Sequence, residues 1–304
     1  DLYTMMKDFA GSDDPNKTEQ GNDGNPIHIF PSKRVSIPVD INTVRANGTV
    51  NANDSVVSQV VFEINKRALF KNDAAILNII AANKWKRPIY FTSPYGELGF
   101  GDYIRQDGLT YRLVPVAKSE VNQDWVADKM MNKFKFGNAN TAGVYFDEEN
   151  RRHLNSIRQA YANAARNLAE NGRKEEAKKL LNKCDQGMLE ENMPYGMASR
   201  TQMHNQIALQ FMLAANLSGD KTLAAKIGKA LRKDMEQQQA YYEALPDNKR
   251  EALSYEEERN RGLLGALNSM EQEFNKPETQ PAETAAPVQT VPVLPKAADT
   301  QKKQ

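Results

Sequence analysis

The chain has 304 residues, room for two ordinary domains, and its 40 basic and 39 acidic residues leave a formal charge of +1. That balance provides no global field to draw in nucleic acid or an anionic membrane surface. One cysteine and three histidines exclude an internal disulfide and argue against zinc, thiol or His-triad chemistry.

In chain order, Leu2, Tyr3, Met5, Met6 and Phe9 form part of an amphipathic turn, and Gly11 to Pro26 is a polar run dense in Asp, Asn and Gly. Residues 1–26 together read as a polar linker. Calcium is a poor fit there, because Glu19 stands where an EF-hand needs glycine and no Glu closes a loop of about twelve residues. Ile27 to Pro31 and Arg34 to Val39 predict short strands, at an edge because of Pro31 and Pro38. Ser58 to Ile64 alternates with Val60, Phe62 and Ile64 on one face, the period of a half-buried strand. Asp73 then caps a helix to Ala82 that is too apolar to be solvated. Pro88 ends it, Ile89 to Thr92 has strand residues, and Pro94, Gly96, Gly99 and Gly101 break the strand into a loop. The Asp107-Gly108 step turns the chain into a strand over Thr110 to Val116. The strands at 58–64, 89–92 and 110–116 are expected in one small sheet beneath the helix. Asn122 caps a further helix with Trp125, Val126, Met130 and Phe134 on its apolar face, ended by Gly137, and Ala142 to Phe146 adds an extended segment.

From Asp147 the character changes to Ala, Leu, Lys, Glu, Asn and Gln. Tyr161, Ala164, Ala165, Leu168, Gly172, Ala177, Leu181 and Cys184 follow the small and large positions of a tetratricopeptide-like helix pair, with Cys184 in the core. A second pair turns at Gly219-Asp220, and the spacing exceeds the usual ~34 residues because of an insertion carrying Pro194 and Gly196. Tyr255 to Phe274 is a capping helix. The fold class is thus α+β: a small α/β sheet domain at 27–147, an all-α tetratricopeptide-like bundle at 148–275, and a Pro-rich tail at 276–304 that is expected to stay disordered. No window reaches the roughly eighteen apolar residues of a membrane span. A start at Asp1, with neither an initiator Met nor a signal-peptide pattern, reads as the continuation of a longer chain.

No stretch supplies a catalytic dyad, a cofactor motif or a metal cluster. Lys84, Lys86 and Arg87 beside Trp85 and Tyr90 could suit a lipid-linked phosphate or a sugar, but better suit a helix end whose cations complement the dipole while Trp85 packs below. The loop from Pro94 to Asp102 lacks the spacing of a phosphate cradle, while Tyr95, Phe100 and Tyr103 suit sugar stacking. The ligand-binding candidates are therefore Trp85, Arg87, Tyr90, Tyr95 and Tyr103, and on the helical inner face Gln206 and Gln210 are candidates for a peptide groove. Asp54-Ser55-Val56 matches a short bacterial O-glycosylation acceptor pattern.

The blocks Trp85-x-Arg87-Pro88-Ile89-Tyr90-Phe91 and Tyr111-Arg112-Leu113-Val114-Pro115, with Gly108-Leu109 and Met130 to Asn138, carry a resemblance. The sequence from about Ser32 to Tyr242 resembles the soluble C-terminal region of a bacterial multi-spanning membrane family, labelled a domain of unknown function, whose N-terminal part looks like protein O-mannosyltransferases of the C-type glycosyltransferase fold. The resemblance implies a preceding membrane part that holds the catalytic acids, and a position on the extracytoplasmic, periplasmic face of the inner membrane. It supports a non-catalytic module that binds acceptor polypeptide or a partner protein. Two alternatives stand beside it: a sugar- or lipid-phosphate-binding or catalytic domain centred on Trp85 to Tyr103, and a free periplasmic scaffold.

Overall fold

A computed structural model describes residues 1–10, 15–22, 24, 26–66, 68–117, 121–199 and 201–274. The Pro-rich tail at 276–304 lies outside them. The fold is α+β, with small antiparallel sheets in the N-terminal part and a long helical region after them.

The chain opens with helix α1 (Leu2–Ala10), where the sequence led us to expect the head of a polar linker. Leu2 and Met6 lie four apart on one face and are both buried, so this short helix is a part of the core. Within the rest of that stretch, β1 (Thr18–Gln20) pairs with β2 (Pro26–His28). Strand β3 (Arg34–Pro38) pairs with β4 (Gln59–Glu63) across the short helix α2 (Ile41–Ala46), which Asp40 caps through the amides of Asn42 and Thr43. The register sets Val35 against Phe62 and Ile37 against Val60, giving one dry face. Helix α3 (Lys71–Asn83) adds Leu77, Ile80 and Ala81 to the same core.

The third sheet has the order β5 (Ile89–Phe91), β7 (Thr110–Leu113), β6 (Ile104–Asp107). The expected single sheet is therefore split: β4 takes β3 as its partner and does not join β5 and β7. The reason is register, since β3 and β4 share an alternating apolar face while the Asp107-Gly108 turn commits β7 to β6.

Asn122 caps α4 (Gln123–Trp125) by accepting the Trp125 amide at 3.2 Å, as expected, but the helix widens at once into a π turn over Val126–Met130. The carbonyl of Met130 in that turn is taken by the Tyr161 hydroxyl at 2.8 Å and the Lys183 ammonium at 2.7 Å, and Lys183 also donates to Met131. Ala142 to Phe146 forms no strand; its one buried side chain is Phe146.

Among the described residues six helices follow: α5 (Glu148–Glu170), α6 (Lys174–Gly187), α7 (Met203–Ser218), α8 (Lys221–Glu243), α9 (Asp247–Ala252) and α10 (Ser254–Phe274). Asp147 and Asp220 cap α5 and α8 through Asn150 N and Leu223 N. Gly172 and Gly219 supply the left-handed turns, at φ +81° and +79°. Helix α5 packs against both α6 and α7, α7 against α8, and α8 against α10, the stacking of helical hairpins. Cys184 is buried among them, and burial pushes its thiol up to about 12, which suits a core residue.

The sheets meet the helices at the β6–β7 hairpin. Gly108 lies under the rings of Trp125 and Phe134, and Phe134 meets Tyr161 of α5 edge-on. Beside this contact Asn163 donates to Gln106 at 3.3 Å and Gln123 donates to Asn167 at 2.9 Å.

Candidate functional site

The stretch that carries the ligand-binding candidates begins where α3 ends. Asn83 clasps Arg87 from both sides, its Oδ1 accepting the Arg87 amide at 3.1 Å and its Nδ2 donating to the Arg87 carbonyl at 2.6 Å. Inside that clasp Lys84 and Trp85 both adopt positive φ, 47° and 60°. Each such non-glycine residue costs about 1–2 kcal/mol, so tertiary contacts must hold the turn. They come from Asn47, whose Nδ2 donates to the Trp85 carbonyl at 2.6 Å, and from Trp85 Nε1, which donates to Pro38 O at 2.9 Å. Trp85 is 5% exposed. A sugar-stacking role for that ring is thus closed off by the core, while Lys84, Lys86 and Arg87 stay exposed around it.

On β5, Tyr90 stands opposite Arg112, and Arg112 stands opposite Arg105. These side chains share a sheet face with Asp107. The Arg112 guanidinium lies 4.9 Å from the Tyr90 ring centre, bonds Gly48 O at 2.6 Å and reaches Asp107 Oδ2 at 2.5 Å. Arg105 reaches Asp54 Oδ2 at 2.7 Å. Burial pushes the Asp107 carboxyl above its ordinary value, against the pull of Arg112 and Arg105. Sequence reasoning missed the buried trio of Arg105, Asp107 and Arg112. The available signal was the hairpin itself: a two-residue turn at Gly108-Leu109 sets Arg105 directly against Arg112, a like-charge pair that needs a carboxylate beside it.

Tyr95 stacks flat on Phe91 at 5.5 Å and donates to Asp73 Oδ1 at 2.9 Å. Asp73 is fully buried and sits inside α3 rather than at its cap. It accepts Lys66 at 2.8 Å and the Phe70 amide at 3.0 Å. Burial disfavours the charge, yet the Lys66, Phe70 and Tyr95 bonds hold its carboxyl below the ordinary value. Glu97 closes the assembly on Lys66 at 3.0 Å, so the loop after β5 is tied down. Tyr103 packs half-buried on the same core, and Phe100 is fully inside it, which closes that ring to sugar stacking. Of the five candidates, Arg87 and Tyr90 thus reach the surface, Tyr95 and Tyr103 are half-buried, and Trp85 is inside; they do not form one platform.

Residues 1–135 match the family model described as TMEM260-associated domain 2. The matched stretch holds all three sheets, the Asn83 turn and the π turn, and it is compatible with a domain of a larger membrane protein. The match stops before α5, so Gln206 and Gln210 lie outside it. No match was found among curated proteins or among solved structures.

Gln206 and Gln210 stand one turn apart on α7, in a stripe with Met203, Leu213 and Leu217 that the packing leaves half-buried or exposed. Gln159 of α5 is half-buried as well. The far side of the same pair is held by the insertion between α6 and α7. Arg158 is buried, donates to Met193 O at 2.6 Å and Pro194 O at 3.0 Å, and lies 4.4 Å from the Tyr195 ring centre. His204 Nε2 lies 2.6 Å from Pro194 O, which only accepts, so Nε2 carries the proton and Nδ1 accepts from Asn155 at 3.0 Å. Among the described residues no group of acids, histidines or cysteine is arranged to hold a metal ion, and no helix is long and apolar enough to cross a membrane.

Proposed function

We propose that the chain is a non-catalytic, extracytoplasmic module of a larger, glycosyltransferase-like membrane protein, and that its helical region binds acceptor polypeptide or a partner protein. The observation that carries the reading is the uncharged stripe of α7, where two glutamines sit among Met203, Leu213 and Leu217. Carboxamides donate and accept, so they pair with both groups of a peptide backbone, and apolar neighbours hold its side chains. The family match over residues 1–135 supports the attachment to a membrane protein. The buried carboxylates of Asp73 and Asp107 are committed to Lys66, Tyr95 and Arg112, which favours binding over acid–base work.

The double change Gln206→Ala with Gln210→Ala is expected to weaken binding of a reduced, carboxamidomethylated test protein about tenfold, since each lost hydrogen bond is worth about 0.5–1.5 kcal/mol. Thermal unfolding should not move, because neither side chain is in the core. Equal affinity in the double variant would remove the groove from the reading. The compartment is checked by immunoblot of native cells: external protease on spheroplasts should trim a membrane-bound band larger than this chain, and a band of this chain's own size in the soluble fraction would refute membrane attachment.

A further inference from the structure

Strand β5 lies at the end of its sheet: among the described residues it pairs with β7 alone. The opposite end is treated differently, for β6 is covered by a bridge from Gln106 to Val121 and by the Asn122 amide on Gln106 O at 3.1 Å. An open edge leaves backbone donors and acceptors ready for another strand.

Natural edges are blunted by shortness, by proline and by charge on the strand; β5 is three residues long and follows Pro88, but lacks the third device. Here Ile89, Tyr90 and Phe91 are uncharged, and Tyr90 is 49% exposed. The charge stands just before them instead. Lys84, Lys86 and Arg87 are exposed, and none has a carboxylate at ion-pair distance among the described residues; Lys84 has only the Tyr3 ring, 5.6 Å away. Their backbone is locked by the Asn83 clasp and by Asn47, with two non-glycine residues held at positive φ. A strained turn fixed by surrounding contacts so as to present three unpaired cations beside an open, uncharged edge favours recognition over protection.

We propose that the free edge of β5 and the Lys84–Arg87 turn together bind an acidic segment of extended polypeptide by strand addition. Its backbone pairs along Ile89 to Phe91 and its carboxylates meet Lys84, Lys86 and Arg87. This surface is separate from the α7 stripe and does not depend on it.

The test uses the full chain and a fluorescein-labelled peptide of alternating valine and glutamate, with glutamine replacing glutamate in a control peptide. The acidic peptide should bind, lose affinity as salt rises, and slow hydrogen exchange at Ile89 to Phe91, while the glutamine peptide binds at least tenfold more weakly. Lys86→Glu with Arg87→Glu should also cost at least tenfold at unchanged thermal midpoint, and the Gln206, Gln210 double variant should bind as the parent does. Equal binding of both peptides, or no slowing at Ile89 to Phe91, overturns the proposal. Loss of binding in the Gln206, Gln210 variant also overturns it, placing the peptide in the helical groove. Binding of inorganic phosphate or phosphatidylglycerol vesicles in place of the acidic peptide, with exchange at β5 unchanged, would assign the cations to phosphate and overturn it too.

Discussion

Replacing Gly99 by alanine is expected to destabilise the N-terminal part by roughly 2–5 kcal/mol, the sum of overpacking and a left-handed backbone. The glycine has φ +96°, and a Cβ there would stand 1.8 Å from the carbonyl oxygen of Glu63 and 2.8 Å from its carbon. Both atoms belong to the end of β4, where no rotamer change relieves the clash. The loop after β5 is pinned against that strand by Tyr95 on Asp73 and Glu97 on Lys66, so it has little freedom to retreat. Gly48→Ala is the matched control: its φ is +72° but nothing lies within 4 Å, so it should cost only about 1–2 kcal/mol. Urea denaturation followed by tryptophan fluorescence measures both, since buried Trp85 and half-buried Trp125 both lie in the N-terminal part. Equal shifts in the two variants would mean that the loop does not lie against β4 in solution.

The second large effect is a loss of helical stability in mild acid, through His204. Burial is the main cause that lowers its value from 6.5 to about 4, helped by Arg158 and Arg151 and opposed by the bond to Pro194 O. The folded value is below the unfolded one, so between about pH 6.5 and about pH 4 the unfolded chain binds the extra proton. The stabilisation is therefore complete above about pH 6.5 and disappears as the pH falls toward about 4, on the order of 3 kcal/mol at about 1.4 kcal/mol per pH unit. His204→Gln keeps a donor for Pro194 and an acceptor for Asn155 without a titrating ring. The difference between the parent and His204→Gln unfolding free energies, obtained from urea melts read at 222 nm from pH 7 to pH 4, should change by that amount. A difference that stays constant over this range would show that His204 is not buried neutral, and with it the strapping of the insertion by α5 and α7 would fall.

Both effects arise at contacts that the residues alone did not announce. Gly99 was legible as a loop glycine, but its neighbour is a carbonyl some 36 positions earlier in the chain. His204 read as one of three scattered histidines, and its partners are Asn155 and the carbonyl of Pro194. Trp85 illustrates the same limit in the other direction. Its place beside three cations left open both a ligand platform and the favoured packing beneath the helix end, and the approach of Pro38 and Asn47 decided for the second.

What the sequence determined by itself were features whose causes lie within a few residues. The cap at Asn122 and the turns at Gly172 and Gly219 are local hydrogen bonds and local backbone choices. The hairpin at Asp107-Gly108 and the helical pairing from Tyr161 to Leu231 were legible for the same reason, as was the α+β class. The tertiary structure decided the rest. Alternation at 58–64 identifies a strand but not its partner, because period two fits any apolar face; matching burial with Arg34–Pro38 selected β3. The buried charges of Arg105, Asp107 and Arg112 are tolerable only because Asp54 and Gly48 arrive from more than 50 residues away to offset their desolvation. The open edge of β5 is likewise a property of the assembled sheet, since a strand's sequence does not say which of its sides will be left without a neighbour.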